Sequence, residues 1–253
     1  MSNYVEEFWD KSSKEYRFNQ WEKSAIARFD YTLTRNILLR FLKLNKNDTV
    51  LEIGCGPGKW TKLISEKCGK MVAVDISEEM INEAKRYCKN KNVRFIHGDI
   101  AELNSNKKFD KIVAIRSIEY IPDKDKMFEK IMSLLKDNGK IVIITKSKPC
   151  LWGVTKKEKN FWQDKISPKR LSELCIKYGL SNITVKPVII RLPIFANGNR
   201  EFPLIWENLE RIALKFFKRI TETSQNSSEI FKNLALLISE SYLLCGEKNI
   251  SSK

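Results

Sequence analysis

Two patterns of apolar residues divide this chain. Up to about residue 45 they recur at helical spacing, with aromatics at Phe8, Trp9, Tyr16, Phe18 and Trp21 and a regular stripe from Tyr31 to Leu44. After the polar turn Asn45-Lys46-Asn47-Asp48, short β-branched runs alternate with helical stretches. The runs predict strands at Thr49–Ile53, Met71–Asp75, Val93–Ile96, Phe109–Ile115 and Lys140–Thr145. One helix is expected from just after Gly58 to about Cys68, and a second to about Lys89, with Ser77 as N-cap and Glu78 and Glu79 in its first turn. A third runs from about Asp123 to Leu135 and closes near Gly139. Ser167-Pro168 opens a further helix that stops at Gly179, and Ile183–Leu192 and Tyr242–Gly246 read as the last strands. Strands separated by helices of this length predict a mostly parallel sheet covered on both faces, because parallel pairing needs crossovers. The fold class is therefore α/β, doubly wound.

Composition narrows the class. The 253 residues suit one domain, and the 42% hydrophobic and 30% charged shares are ordinary for a globular protein. No apolar run reaches the roughly 18 residues of a membrane span, and the acidic N-terminus lacks the apolar stretch of a secretory signal, so a cytoplasmic protein is expected. Cysteines 55, 68, 88, 150, 175 and 245 form no CxxC pair and read as reduced, buried thiols. With His97 the single histidine, no metal site is expected. The net charge of +15 is compatible with nucleic acid, anionic lipid or an acidic substrate, and also with compositional drift toward lysine. Its clustering is more telling: nine basic residues against two acidic lie between Gly139 and Arg170, interleaved with Trp152, Phe161 and Trp162.

The candidate chemistry sits where an open α/β sheet binds ligands, at the carboxyl ends of its strands. The first strand runs into Gly54-Cys55-Gly56-Pro57-Gly58, where glycines allow close backbone approach to a ligand. The second ends in Asp75, about twenty residues on, placed to accept hydrogen bonds from both hydroxyls of a ribose. Spacing alone indicates an adenosine-containing cofactor and leaves a dinucleotide open. The wording goes further: the glycines fall as G-x-G-x-G, which breaks the dinucleotide fingerprint G-x-G-x-x-G.

Val50-Leu51-Glu52-Ile53-Gly54-Cys55-Gly56-Pro57-Gly58 closely resembles motif I of the class I S-adenosylmethionine-dependent methyltransferases, of the type 11/25-like superfamily. Four more segments resemble that family in order: Val74-Asp75-Ile76-Ser77-Glu78-Glu79-Met80, His97-Gly98-Asp99-Ile100, Phe109-Asp110-Lys111-Ile112-Val113 with Ile118-Glu119-Tyr120-Ile121-Pro122, and the bend Leu134 to Ile141. The likeness spans about residues 45 to 190. It implies a Rossmann-like sheet of strand order 3-2-1-4-5-7-6 whose antiparallel last strand is Ser241 to Glu247. It also implies S-adenosyl-L-methionine as cofactor and S-adenosyl-L-homocysteine as product. By that resemblance Gly54, Gly56 and Gly58 line the methionine portion with Glu52 beside it, and Asp75 holds the ribose hydroxyls. Asp99 accepts from the adenine amino group, Ile76 and Ile100 pack on the ring, and backbone near Arg116 meets the amino-acid end.

No catalytic residue is assigned. Methyl transfer from a sulfonium is driven largely by positioning and desolvation, and a base is needed only if the acceptor must lose a proton. Glu119 and Tyr120, after the fourth strand, are the candidates; the plainer reading makes Glu119 a brace and Tyr120 packing beneath the acceptor pocket. His97 reads as exposed or packing. Pro149-Cys150 has no partnering cysteine motif, and Arg116-Ser117-Ile118 is not the N/D-P-P-Y/F of enzymes that methylate a flipped base.

The domain layout expected over residues 1–253 is a helical cap (1–45), a cofactor-binding core (46–148), and substrate-side insertions at 149–167 and 193–238. Within the second insertion, Pro203 to Ile220 is amphipathic, with Ile205, Leu209, Ile212 and Phe216 in one stripe and Lys215, Lys218 and Arg219 toward its end. Such a helix packs on its own domain or lies on an anionic membrane surface, which would put the protein at the inner face of the membrane. The expected partner is a small-molecule, glycan or lipid-linked acceptor, anionic and methylated at oxygen, its charge read by the lysines of 146 to 170. An RNA methyltransferase and a cofactor-binding pseudoenzyme are the alternatives; no added nucleic-acid-binding module is visible for the former.

Overall fold

The computed structural model describes residues 2–147, 164–190, 212, 236 and 239–249. Helices α1 (Ser2–Trp21) and α2 (Ala25–Leu42) come first, α2 capped where the Ser24 hydroxyl accepts from the Ala27 N–H at 3.1 Å. Strands and helices then alternate: β1 (Thr49–Ile53), α3 (Lys59–Ser65), β2 (Lys70–Asp75), α4 (Glu78–Tyr87), β3 (Val93–His97), β4 (Phe109–Ile115), α5 (Lys124–Leu134) and β5 (Leu135–Lys146). The described chain closes with α6 (Pro168–Lys177), β6 (Leu180–Ile190) and β7 (Ser239–Lys248). All seven strands form one sheet of order β3-β2-β1-β4-β5-β7-β6, parallel except for the pairings of β7 with β5 and β6. This is the Rossmann-like sheet that the sequence leads one to expect.

The period-2 alternation of a strand divides the core between the two faces. Leu51, Ile112, Ala114, Ile141, Ile143, Tyr242 and Leu244 meet Met127, Phe128 and Ile131 of α5 and Leu171 and Leu174 of α6. Their neighbours Val50, Val113, Val142, Ile144 and Leu243 face the other way, onto Leu38 and Leu42 of α2 and Trp60 and Ile64 of α3. Because both faces are covered, the strands read as nearly continuous apolar runs.

Several boundaries differ from the sequence reading: α3 ends at Ser65, short of Cys68, and β7 begins at Ser239, ahead of Tyr242. The third predicted helix stops at Leu134, and Leu135 through Gly139 belong to β5. Leu135 pairs with Phe109, the register then breaks, and pairing resumes with Lys140 on Lys111. Asn138 takes φ 59° inside this bend, and a Cβ on Gly139 would meet the Lys136 carbonyl at 2.6 Å, so the bend needs its glycine. Lys248 fastens the helix end from β7, donating to the Met132 and Leu135 carbonyls at 2.8 and 3.0 Å. Strand β6 begins at Leu180, three residues early, and as an edge strand tolerates Pro187.

Most of the predicted insertions lie outside the described residues: Cys150, the lysines at 156, 157 and 159, and Pro203–Ile220 apart from Ile212. Among the described residues no helix is long and apolar enough to cross a membrane. Cys55, Cys68, Cys88, Cys175 and Cys245 are buried free thiols.

Candidate active site

Strand order reverses between β1 and β4, and the loops leaving these two strands press against each other. Gly54 sits at φ 67°, and a Cβ there would lie 2.3 Å from the Ser117 Cβ. Ser117 in turn donates its hydroxyl to the Ile53 carbonyl at 2.7 Å. The Gly54 and Cys55 N–H groups both donate to the Val74 carbonyl, at 2.8 and 3.0 Å, which ties the loop to β2. Gly56, at φ 52°, has open space where a Cβ would be; the requirement there is conformational and leaves bare backbone facing a cavity.

Asp75 holds the other side of that loop. Its Oδ2 accepts from the Gly56 N–H at 2.7 Å and its Oδ1 from the Ser77 N–H at 3.0 Å. Burial pushes its carboxyl up to about 6, opposed by those two backbone donors. Beyond β3, Asp99 caps a single 3-10 turn (Ile100–Glu102), its Oδ1 accepting from the Ala101 N–H at 2.8 Å. The cavity walled by these groups encloses about 980 Å³, its mouth included. It gathers Gly54 and Gly56 from the loop, Asp75 and Ile76 from the end of β2, Asp99 and Ile100 after β3, and Arg116 after β4.

Two expected residues do not line it. Gly58 (φ 80°) begins α3, and a Cβ there would meet the Ala84 Cα of α4 at 3.0 Å, so this glycine serves helix packing. Glu52 is buried beneath the loop, where its Oε2 accepts from the Thr61 hydroxyl at 2.6 Å. Burial pushes Glu52 up to about 8, which leaves it mostly protonated at neutral pH. Thr61, two residues into α3, was the available signal for that role.

The opposite wall is aromatic and comes from α1. Val5, Trp9, Tyr16 and Trp21 line the cavity together with Trp60 of α3 and Tyr120 after β4. Trp9 meets Tyr16 and Tyr120 edge to face, with ring centroids 5.1 and 4.9 Å apart, and Trp21 meets Trp60 likewise at 5.0 Å. The sequence marks α1 as aromatic without saying which rings reach the site; Val5, Trp9 and Tyr16, at i, i+4 and i+11, share one face. Asp10 docks the helix, its Oδ1 accepting from the Ser77 hydroxyl at 2.5 Å and the Glu79 N–H at 3.3 Å. His97 lies outside the cavity lining, its Nε2 2.9 Å from the Ile76 carbonyl and 3.3 Å from Glu6. Glu119 is buried away from the cavity, where its Oε2 accepts from the Thr145 hydroxyl at 2.7 Å.

A family model described as a methyltransferase domain matches residues 44–186, more than half of the chain and the whole of this loop system. The chain belongs to the methyltransferase family. Among curated relatives, the malonyl-[acyl-carrier protein] O-methyltransferase of Priestia megaterium is 31% identical over 137 residues, 51% of this chain and 49% of that protein. The ubiquinone biosynthesis O-methyltransferase of Pelagibacter ubique is 30% identical over 151 residues, 58% of this chain and 62% of that one. The matched part thus spans about half the length of such relatives. A solved phosphoethanolamine N-methyltransferase 2 of Haemonchus contortus, in complex with S-adenosyl-L-methionine, superposes with a TM-score of 0.65 over 97% of this chain and 60% of its own, at 20% identity. That likeness speaks for the fold.

S-adenosyl-L-methionine is the methyl donor of this family and leaves as S-adenosyl-L-homocysteine. The residues of this methyltransferase fit it: bare backbone at Gly56, a buried carboxylate at Asp75, and a mostly apolar cavity beside both.

Proposed function

We propose that this methyltransferase acts on a small acceptor, free or carried on a glycan or lipid, that is anionic and receives the methyl group on oxygen. In this reading Asp75 accepts from the ribose hydroxyls, Asp99 from the adenine amino group, and Ile76 and Ile100 flank the ring. Gly54 and Gly56 leave room for the methionine portion, and backbone at Arg116 meets its amino-acid end. Glu52 and Gly58 act beneath, by fixing the loop and its helix. When bound, the cofactor supplies a methyl group on a positively charged sulfur. What remains for the chain is to orient the acceptor, exclude water and arrange for any proton to leave.

One observation carries the reading. The cavity runs from the glycine loop to the aromatic wall of α1, and its described lining holds no histidine. Its aspartates, Asp75 and Asp99, are committed to the cofactor side, and Tyr120 is packed edge to face on Trp9. A lining without a free base among the described residues suits an acceptor that needs none, and a carboxylate oxygen is already deprotonated at neutral pH. The two curated relatives described above are O-methyltransferases by name, which favours the same atom.

The test is label transfer from methyl-labelled cofactor to a panel of small carboxylic acids, phenols, primary amines and RNA. Label released by mild base from the carboxylic acids, as expected of methyl esters, supports the proposal. Transfer confined to amines or RNA contradicts it.

A further inference from the structure

Arg116 is a buried cation at the meeting of the loops that leave β1 and β4. It leaves β4 in the left-handed region, φ 56°, with its N–H donating to the Ile144 carbonyl of β5 at 2.7 Å. The side chain is 5% exposed, and its nearest anion is the Glu240 carboxylate, 3.9 Å from Nη2. Nε and Nη1 are fully buried and have no hydrogen-bond partner among the described residues. A guanidinium carries five N–H donors and stays charged at any physiological pH, so a buried one with two nitrogens unmatched among the described residues is costly to hold unless an anion offsets its charge.

The surroundings say which ligand. Arg116 lines the cofactor cavity and also a second, adjoining one of about 570 Å³, mouth included. The two share Trp9, Tyr16 and Tyr120, and the second adds Gln20 and Lys146. An aromatic lining beside a buried guanidinium suits an acceptor with an apolar or ring-bearing body and a carboxylate.

We propose that the Arg116 side chain anchors a carboxylate of the acceptor, with the acceptor's body lying on Trp9, Tyr16 and Tyr120. This rests on the reading of the chain as a methyltransferase of small anionic acceptors and moves the charge-reading role inward, from the lysine-rich segment after β5 to one buried arginine. The arginine sits at the junction of the two cavities, so it holds the acceptor next to the loop that receives the cofactor. A neutral acceptor of the same shape leaves the guanidinium unpaired and binds poorly, which makes Arg116 a determinant of specificity as well as affinity.

The probe is 1-naphthoate, with 1-naphthamide as its neutral twin, titrated calorimetrically into the protein saturated with S-adenosylhomocysteine. The parent protein should bind naphthoate about tenfold or more tighter than the amide, the worth of a charge-assisted hydrogen bond. R116M should erase that preference while changing S-adenosylhomocysteine affinity less than about threefold, and R116K should retain part of it, since lysine keeps the charge but not the fork. Equal binding of the two probes, or no binding of either, overturns the proposal, and neither result depends on a variant that folds. An R116M protein that loses affinity for S-adenosylhomocysteine yet keeps the naphthoate preference also overturns it, by giving the guanidinium to the cofactor. Failure of the anchor is separable from failure of the wider reading: carboxylic acids methylated with the same KM by parent and R116K would remove the anchor alone, whereas no methylation of any carboxylic acid would remove the reading beneath it.

Discussion

The two walls of the cavity are made differently. The wall proposed for the cofactor is built on backbone: three loops that leave β1, β2 and β3, tied together by the Val74 carbonyl, which accepts from Gly54 and Cys55, and by Asp75, whose carboxylate accepts from Gly56 and Ser77 and whose carbonyl accepts from Gly98. The wall proposed for the acceptor is side chains, with Trp9 and Tyr16 brought in by a helix that docks on α4 through Asp10, and Tyr120 and Arg116 brought in by the exit of β4. A wall of backbone cannot be changed residue by residue without losing the turn. A wall of side chains can be refitted to a new acceptor while the sheet stays as it is.

The largest difference between the walls should appear on Gly54→Ala. The added Cβ would collide with Ser117, and the left-handed φ costs a further 1–2 kcal/mol by itself, so a total loss of about 3 kcal/mol or more in stability is expected, with cofactor binding abolished. Thermal unfolding and S-adenosylhomocysteine titration check this together; a normal Tm with normal binding would mean that the loop is looser than its contacts imply.

Trp9→Ala probes the other wall. Three edge-to-face pairs vanish, with Phe8, Tyr16 and Tyr120, worth about 0.5–1.5 kcal/mol each, and with them part of the aromatic lining proposed for the acceptor. Acceptor KM should rise about tenfold while S-adenosylhomocysteine affinity falls less than about threefold. Equal losses on both would show that α1 serves the two ligands alike.

A further effect is one of pH, and it belongs to the strand beneath the glycine loop. Burial raises Glu52 to about 8 in the folded chain, from an ordinary value of 4.5. The folded state therefore holds a proton that the unfolded state has released across that interval. This proton's contribution to stability is fully present below about pH 4.5 and is lost as pH rises through about 8. Glu52→Gln removes the dependence, so the variant should gain on the parent steadily between pH 5 and pH 8 in denaturant titrations. A constant difference across that range would place Glu52 in a wetter setting than its bond to Thr61 indicates.

The same division explains what was legible in the sequence. Glycines 54 and 56, Asp75 and Asp99 could be placed around one cavity because a strand–loop–helix unit keeps its cavity-facing atoms within a few consecutive residues, and strand ends are readable from the apolar runs. Glu52 belonged to the same motif, yet its burial depended on Thr61 and on how α3 packs. On the acceptor side, the helical spacing of Val5, Trp9 and Tyr16 was visible, but nothing local says that α1 docks through Asp10 onto Ser77, 67 residues away. Arg116 was expected to act through its backbone; its side chain became notable only because it is buried near Glu240 of β7 with two nitrogens unmatched among the described residues. Long-range packing decides such cases, and a linear reading does not contain it.

The most direct measurement is calorimetric titration of S-adenosylhomocysteine into the parent protein and into Asp75→Ala across pH 5 to 8. One site per chain is expected in the parent. Removing the carboxylate deletes the two charge-assisted bonds proposed to the ribose hydroxyls, worth roughly 1.5–3 kcal/mol each, so the variant should bind at least about a hundredfold more weakly. Burial holds Asp75 at about 6 and only its charged form accepts both hydroxyls, so parent affinity should fall as pH drops below 6 while the variant's stays flat. No binding by the parent, or equal affinity in the variant at pH 8, would contradict the assignment of this cavity to the methyl donor.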